Sequence, residues 1–529
     1  MADPRKSRAG MLLYRHLPEE YRYRDNRQGQ EQGDLEAYLD GFGVLLDAIR
    51  ETIAQSYADA FAGQQRDGKE IQEWLVPYLA DLLQAELVAP AAGNRRKELN
   101  NTVGWYKGKG TLAVVDGIAD TVSGAQTVVV EGWRRTLITP RLSLPPFTIP
   151  PDTAGRELPL GTPDLRRVSR AVIDETGQNS FENFTLTEAD ATGNPAESKP
   201  IVWRLLSRTG APCFPGHFDD RTQRTPAVGD FTRRRPGPHP RRTHVHVQPP
   251  SGLFVEGLKS VALTGADPLG IGAAGGALLT IDPDYVYERL GQGGPPDRLV
   301  LTGNLKIPAG ARVILEDLLF MGKITVEMGA RLEMQRSAAR QVSLDKEEGE
   351  LPMLDAVDCL FGEVFGPFSF AQLEYVTVLG DVTLARLNAS DCLFVGKLVD
   401  FKCAEKDSCV RYSRLAEGLP EECRTAGNPN NTTALPIFVQ RVFDDAGGCV
   451  VRTAKYGEPG CGVLSSEAPA AITAGAEDRG EMGAHHHQFH AAKLRAVRTK
   501  LADFLPVGQS ITLAYDERLA VRPPVVTGL

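Results

Sequence analysis

From Leu35 to Phe61, the apolar residues Leu35, Tyr38, Leu39, Phe42, Leu45, Leu46, Ile49, Ile53, Tyr57 and Phe61 recur at intervals of three and four. That is the period of one face of an α-helix, and it predicts a single helix of 27 residues, roughly 40 Å long. Gly41 and Gly43 interrupt it, each costing about 1 kcal/mol relative to alanine. A stripe of this length calls for a partner, either the Ile71 to Leu87 segment or a helix of another subunit. Pro77 either kinks that second segment or opens a new helix after Trp74-Leu75-Val76. Further on, Leu99, Val103 and Tyr106 mark a short amphipathic helix capped by Asn94 or by Asn100-Asn101 and stopped by the glycine turn at Gly108 to Gly110. Thr111 is placed to cap the next helix, whose apolar stripe is Leu112, Val115, Ile118, Ala119 and Val122 and whose left-handed stop is Gly124. Thr127 to Val130 then reads as a strand leading into Glu131-Gly132-Trp133.

Beyond Pro140 the pattern changes. Arg141 to Leu165 is rich in proline and favours an extended connector. Thr243-His244-Val245-His246-Val247 alternates as a strand with both histidines on one face. In the middle of the chain, Gly310-Ala311-Arg312-Val313-Ile314-Leu315 recurs as Gly329-Ala330-Arg331-Leu332-Glu333-Met334, a period of 19 residues. Asp358-Cys359-Leu360-Phe361 recurs as Asp391-Cys392-Leu393-Phe394 after 33 residues, and Cys409 follows Cys392 by 17, so 33 reads as two rungs. Rungs of 16 to 19 residues that cannot bury a face alone fit a stacked parallel β-solenoid. The alternative is a β-sandwich with coincidental similarity. After Cys423 the pattern loosens, with a turn at Tyr456 to Gly460, an acidic loop at Glu477, Asp478 and Glu481, and a short helix from Arg495 to Leu505.

The stretch around Arg95-Arg96-Lys97-Glu98-Leu99 and Trp105-Tyr106-Lys107-Gly108-Lys109-Gly110-Thr111, preceded by the helix from Ile71 to Leu83 and closed by Val130-Glu131-Gly132-Trp133, resembles the phage tail protein I family. These are baseplate wedge subunits of contractile phage tails and related contractile injection systems. The likeness covers about residues 11–140, a quarter of the chain. The family usually carries Arg-Arg or Arg-Lys before the Lys-Gly-Thr turn, where this chain has Tyr106-Lys107-Gly108. The resemblance implies a structural subunit that pairs with larger baseplate subunits, foremost a baseplate-J-like protein, and helps join hub or spike to sheath. It also implies a partner interface, to which Leu46, Ile53, Arg95, Arg96, Trp105, Tyr106, Lys107, Lys109, Thr111 and Trp133 are assigned.

Composition narrows the alternatives. A chain of 529 residues with 42% apolar and 24% charged content is an ordinary globular protein of several domains. Its net charge of −9 gives no general attraction for nucleic acid or anionic membrane. No apolar run approaches the roughly 20 residues of a spanning helix, and no secretory signal is legible, so assembly in the cytoplasm is expected. The fold expected is multidomain α+β. Residues 1–140 form a helical wedge domain, 141–165 the connector, 166–295 a β-rich domain, 296–425 the solenoid and 426–529 a mixed C-terminal domain.

Chemistry is sparse in the pattern. Gly104 to Thr111 lacks the spacing of a Walker loop, and the second helix offers Asp116 and Asp120 where a DNA reader needs Arg or Gln. Nine arginines between Arg204 and Arg242, against Asp219, Asp220 and Asp230, read as a solvated loop or a contact with an acidic subunit. All eight cysteines lie at or after Cys213 without a Cys-x-x-Cys pair, as expected of buried free thiols. His244 with His246, and the cluster His485, His486, His487 and His490, invite metal binding. Two ligands without a third, and three adjacent histidines that cannot point one way, argue against it. Among the rung acids Glu327, Glu333, Asp358, Glu363, Glu374, Asp381 and Asp391, no acidic pair recurs at a shared rung position with Arg or His beside it. No catalytic, cofactor or metal site is therefore assigned. A carbohydrate-binding or carbohydrate-cleaving β-helix protein attached to a tail particle is the alternative reading.

Overall fold

The computed structural model describes residues 7–25, 32–63, 68–132, 237, 239, 241–265, 267–274, 276–290, 297–346, 351–399, 408–417, 430–445 and 448–520. Trp133, the connector, Cys213, Cys403, Cys423 and nearly all of the basic stretch from Arg204 to Arg242 lie outside them. The chain divides into two compact units, Met1–Gly108 and Lys109–Leu529.

The first unit is helical: α1 (Arg8–His16), α2 (Glu19–Asp25), α3 (Asp34–Ala58), α4 (Val76–Leu82) and α5 (Ala92–Lys107). α3 is the expected long helix. Its start is capped from a distance, since the Asp25 carboxylate accepts from the backbone N–H of Leu35 (2.9 Å) and Glu36 (3.0 Å). Asp40 and Asp47 of α3 in turn hold the start of α1: Ser7 N–H donates to Asp40 and the Ser7 hydroxyl to Asp47. Gly43 sits where α1 crosses, and a Cβ there would collide with the backbone of Gly10. The glycine that weakens the helix locally thus permits the crossing. Pro77 opens α4 rather than kinking it. α5 begins at Ala92, ahead of both expected asparagine caps, with Ala91 as N-cap and no side-chain cap. Leu99 of α5 packs with Ile71, Val76, Ala80 and Ala85 in a small core.

The second unit opens with α6 (Leu112–Ser123), capped by the Thr111 hydroxyl and ended by Gly124 in the left-handed conformation, as its sequence predicts. β1 (Thr127–Glu131) follows, then β2 (Arg242–Val247), β3 (Ser260–Ala262), β4 (Leu278–Ile281), α7 (Pro283–Leu290), β5 (Leu299–Thr302), β6 (Leu305–Ile307), β7 (Arg312–Glu316), β8 (Leu318–Val326) and β9 (Arg331–Gln335). The series continues with β10 (Ala338–Leu344), β11 (Leu354–Val357), β12 (Leu360–Glu374), β13 (Thr377–Val378), β14 (Val382–Ser390), β15 (Leu393–Phe394), β16 (Leu398–Val399) and β17 (Cys409–Arg411). β18 (Gln440–Asp445), β19 (Gly448–Thr453), α8 (Ala470–Thr473), α9 (His490–Phe504) and β20 (Ser510–Tyr515) complete it.

β3 to β17 wind into a parallel β-solenoid of about 5 turns. Val300, Leu319, Ala338, Leu360, Thr377 and Leu393 stack in register on one face, in steps of 19, 19, 22, 17 and 16 residues. The expected 19-residue repeat is therefore one rung and the 33-residue repeat two. Three faces enclose a core that includes Leu301, Phe320, Phe361, Phe394, Val342 and Leu373.

Two corners recur in every legible rung. At one, Asp317, Arg336, Asp358, Tyr375, Asp391 and Tyr412 all take a left-handed backbone, and a small or apolar residue follows each, pointing inward. Ser337 donates to the carbonyl of Gln335, Cys359 to that of Val357, Cys392 to that of Ser390 and Ser413 to that of Arg411, so these four corners close on themselves. Cys409 is not the next member of this column: it pairs with Asn388, and Ser413 accepts from the Cys392 N–H at 3.0 Å. At the other corner glycines stack, and a Cβ on Gly322, Gly362 or Gly396 would collide with a carbonyl of the rung beneath.

The C-terminal part covers the first face from outside. Together with Leu253 and Phe254 from ahead of β3, Cys461 and Ala484 bury the outward side chains of Leu319, Ala338 and Leu360, while Leu464, Ile472 and Met482 bury Leu393. β1 pairs antiparallel with β2, and β2 parallel with β20, in a separate sheet. α6 packs on α9, which begins at His490, ahead of the expected Arg495. α6 and β1, expected with the N-terminal helices in a 1–140 domain, therefore belong with the solenoid unit, because their hydrogen-bonding and packing partners are there. Among the described residues no helix is long and apolar enough to cross a membrane.

Candidate functional site

The most conspicuous surface lies on α3. Only Gly43 and Ala58 of that helix are buried. Tyr38, Phe42, Leu45, Leu46, Ile49, Ile53 and Tyr57 form a continuous stripe over roughly a third of its circumference, and all of them are exposed, Leu46 at 46% and Ile53 at 65%. α1 packs along the edge of this stripe, on the side of Asp40, Gly43 and Asp47. The Ile71 to Leu87 segment does not cover it: that segment folds onto α5 and meets α3 at its C-terminal end, where Gln72 donates to Asp59 and Gln55 to the Glu70 carbonyl. Scattered exposed apolar residues need no explanation, but a contiguous stripe does.

The other residues assigned to an interface have the following places. Arg95 pairs with Glu73 at 2.5 Å and Arg96 with Glu70, so the arginine pair ties α5 to the segment before α4. Trp105 is a buried core residue. Tyr106 donates to the Gln84 carbonyl at 2.9 Å, bracing the turn after α4, and Lys107 stands exposed at the end of α5. Lys109 and Thr111 fall in the second unit, where Lys109 lies 5.6 Å over the Phe504 ring and Thr111 caps α6. Trp133 is outside the described residues. Glu98, which the sequence reading passed over, is completely buried. Its carboxylate accepts from the N–H groups of Val88 and Ala89, locking the chain before α5. Its one signal was a lone acid on the apolar side of a helix.

The histidines disperse to separate partners. His246 meets Asp516 at 3.0 Å and His244 meets the Thr512 hydroxyl at 2.7 Å. His485 is buried, bonds to the Cys461 carbonyl and is pushed down to about 4 by burial. His486 stacks on Tyr375 at 3.9 Å and reaches Asp478 at 3.1 Å. His487 faces Asp358 at 3.4 Å, and His490 bonds to Gln488. Among the described residues no group of three or more His, Cys, Asp or Glu is placed to hold a metal ion.

One carboxylate pair was hidden. On the third solenoid face, formed by β4, β7, β9 and β11, Glu333 stands in register with Asp355 of the next rung, with Arg331 two residues along on the same side of β9. Asp355 is not among the rung acids that the sequence pattern singles out, because the 22-residue rung obscures its alignment with Glu333. Burial, then Glu333 and Glu374, raise the Asp355 carboxyl above its ordinary range. Searches against protein-family models, curated proteins and solved structures return no match to this chain.

Proposed function

We propose that the chain is a structural baseplate wedge component of a contractile phage tail or contractile injection system, assembled in the cytoplasm with larger baseplate subunits. The reading rests on the sequence resemblance over residues 11–140 and on one observation, the apolar stripe of α3 that stands exposed among the described residues. In this role helices of a partner wedge subunit, a baseplate-J-like protein, lie along Tyr38 to Tyr57, and the assembly links hub or spike to sheath. Nucleic acid and membrane have no part in it. The solenoid serves as a rigid arm, since its core is buried between its own rungs.

The test is the double change Leu46→Asp and Ile53→Asp in the full chain, with circular dichroism and co-purification of the baseplate-J-like partner. Both side chains are exposed, so helicity is expected to stay unchanged while partner capture is lost. Capture at the wild-type level would refute the assignment of the stripe.

A second reading draws on Glu333 and Asp355: a β-helix that binds or cleaves carbohydrate on its third face. The two residues stand on adjacent rungs whose backbones are about 4.8 Å apart, close to the roughly 5 Å between carboxyl groups in retaining glycosidases.

A further inference from the structure

A cavity of about 330 Å³ opens beside the first turn of α9. Gly124 and Ala125 after α6, the Gln248 to Gly252 loop after β2, and Tyr515 of β20 form its walls. Its apolar lining comes from Pro249, Pro250 and Leu494, and its polar lining from Gln488, His490 and Lys493. The volume sits at the lower end of the range for small-ligand sites and equals that of roughly ten water molecules.

Lys493 gives this cavity its character. The side chain is half-buried, and among the described residues no carboxylate forms an ion pair with it. Burial lowers its affinity for a proton, the sign of an ammonium with too little to stabilise it. The carboxyl that acts on it from the protein side is Glu481, which is buried and turned to accept from the Ala491 N–H at 3.0 Å. Burial raises that carboxyl to about 8, which weakens it as a counter-charge for Lys493 at neutral pH. The same cavity wall is the N-terminal turn of a 15-residue helix, whose dipole adds positive potential.

We propose that this cavity binds a small organic carboxylate, its charged end on Lys493 and its apolar body against Pro249, Pro250 and Leu494. One ammonium, with no arginine in the lining, suits a monoanion better than a phosphate, which recruits several donors. Binding gives Lys493 a close negative partner, so the complex takes up protons wherever free Lys493 is partly deprotonated. The proposal stands apart from the wedge reading and concerns only the second unit.

The experiment is calorimetric titration of the full chain with benzoate, butyrate and inorganic phosphate, in buffers of different ionisation heat. Saturable benzoate binding in the millimolar range or tighter is expected, weaker for phosphate, with proton uptake. Lys493→Met should weaken it roughly tenfold or more. As a check that needs no variant, benzoate should slow acetylation of Lys493 in the wild-type protein, read by peptide mapping. Equal affinity in wild type and Lys493→Met overturns the proposal, as does phosphate binding without benzoate binding, or acetylation of Lys493 indifferent to benzoate.

Discussion

Replacing Glu481 by Gln should make the second unit more stable, and increasingly so as pH rises. The carboxyl is buried, accepts one hydrogen bond from Ala491 at the start of α9, and has its pKa raised by burial from 4.5 to about 8. In the unfolded chain it ionises near its ordinary value. Below about pH 4.5 both states are protonated and the residue is neutral to stability. Between 4.5 and 8 the folded state holds a proton that the unfolded state has released, so stability falls as pH rises, and above 8 the loss is complete. At about 1.4 kcal/mol per pH unit, the penalty is roughly 1 kcal/mol at pH 5, 3 at pH 7 and 5 at pH 9. Glutamine keeps the acceptor oxygen and the shape but never ionises. His485, held near 4 by burial, has the opposite slope between about 4 and 6.5, but it titrates in both proteins and cancels in their difference. The assay is urea denaturation of wild type and Glu481→Gln at pH 5, 7 and 9, followed by circular dichroism. A stability difference that does not grow with pH would refute the burial argument for Glu481.

Two further outcomes follow from the solenoid. Gly362→Ala places a methyl group against the Arg340 carbonyl of the rung beneath and should cost about 1–3 kcal/mol or more; an unchanged urea midpoint would show that the rungs can part there at no cost. Incubation with capsular, cell-wall and pectin-like polysaccharides is expected to release no new reducing ends or unsaturated products. Turnover that survives repurification and disappears in Glu333→Gln or Asp355→Asn would replace the assembly reading with the carbohydrate one.

What could be read from the sequence depended on whether a rule was local. The cap at Thr111, the stop at Gly124 and the stripe of α3 each belong to one element, and each stands where its pattern places it. The solenoid was legible at the rungs whose corners use the same chemistry, Asp358-Cys359 and Asp391-Cys392. It was hidden at Tyr375-Val376, where the same left-handed corner is made by unlike residues. Cys409 misled because its spacing from Cys392 suits a rung, although Ser413 holds the equivalent place. Arg95 and Arg96 look like an offer to a partner until Glu73 and Glu70 are seen beside them. The pairing of Glu333 with Asp355 required the register across a 22-residue rung. Lys493 as a cavity residue required the fold of segments far apart in the chain.

The small sheet of β1, β2 and β20 also sets an order on the making of the protein. In the central strand, Val247 pairs with Thr127 on one side and with Tyr515 on the other. At about 5–20 residues per second, a ribosome leaves β2 with one open edge for roughly ten to fifty seconds after its first partner is in place. Through that interval the face of α6 that will receive α9 is bare as well. An open strand edge beside an uncovered apolar helix is what chaperones and proteases recognise. A nascent chain interrupted before Ser510 therefore still shows this open edge, and one that reaches Tyr515 covers it with β20.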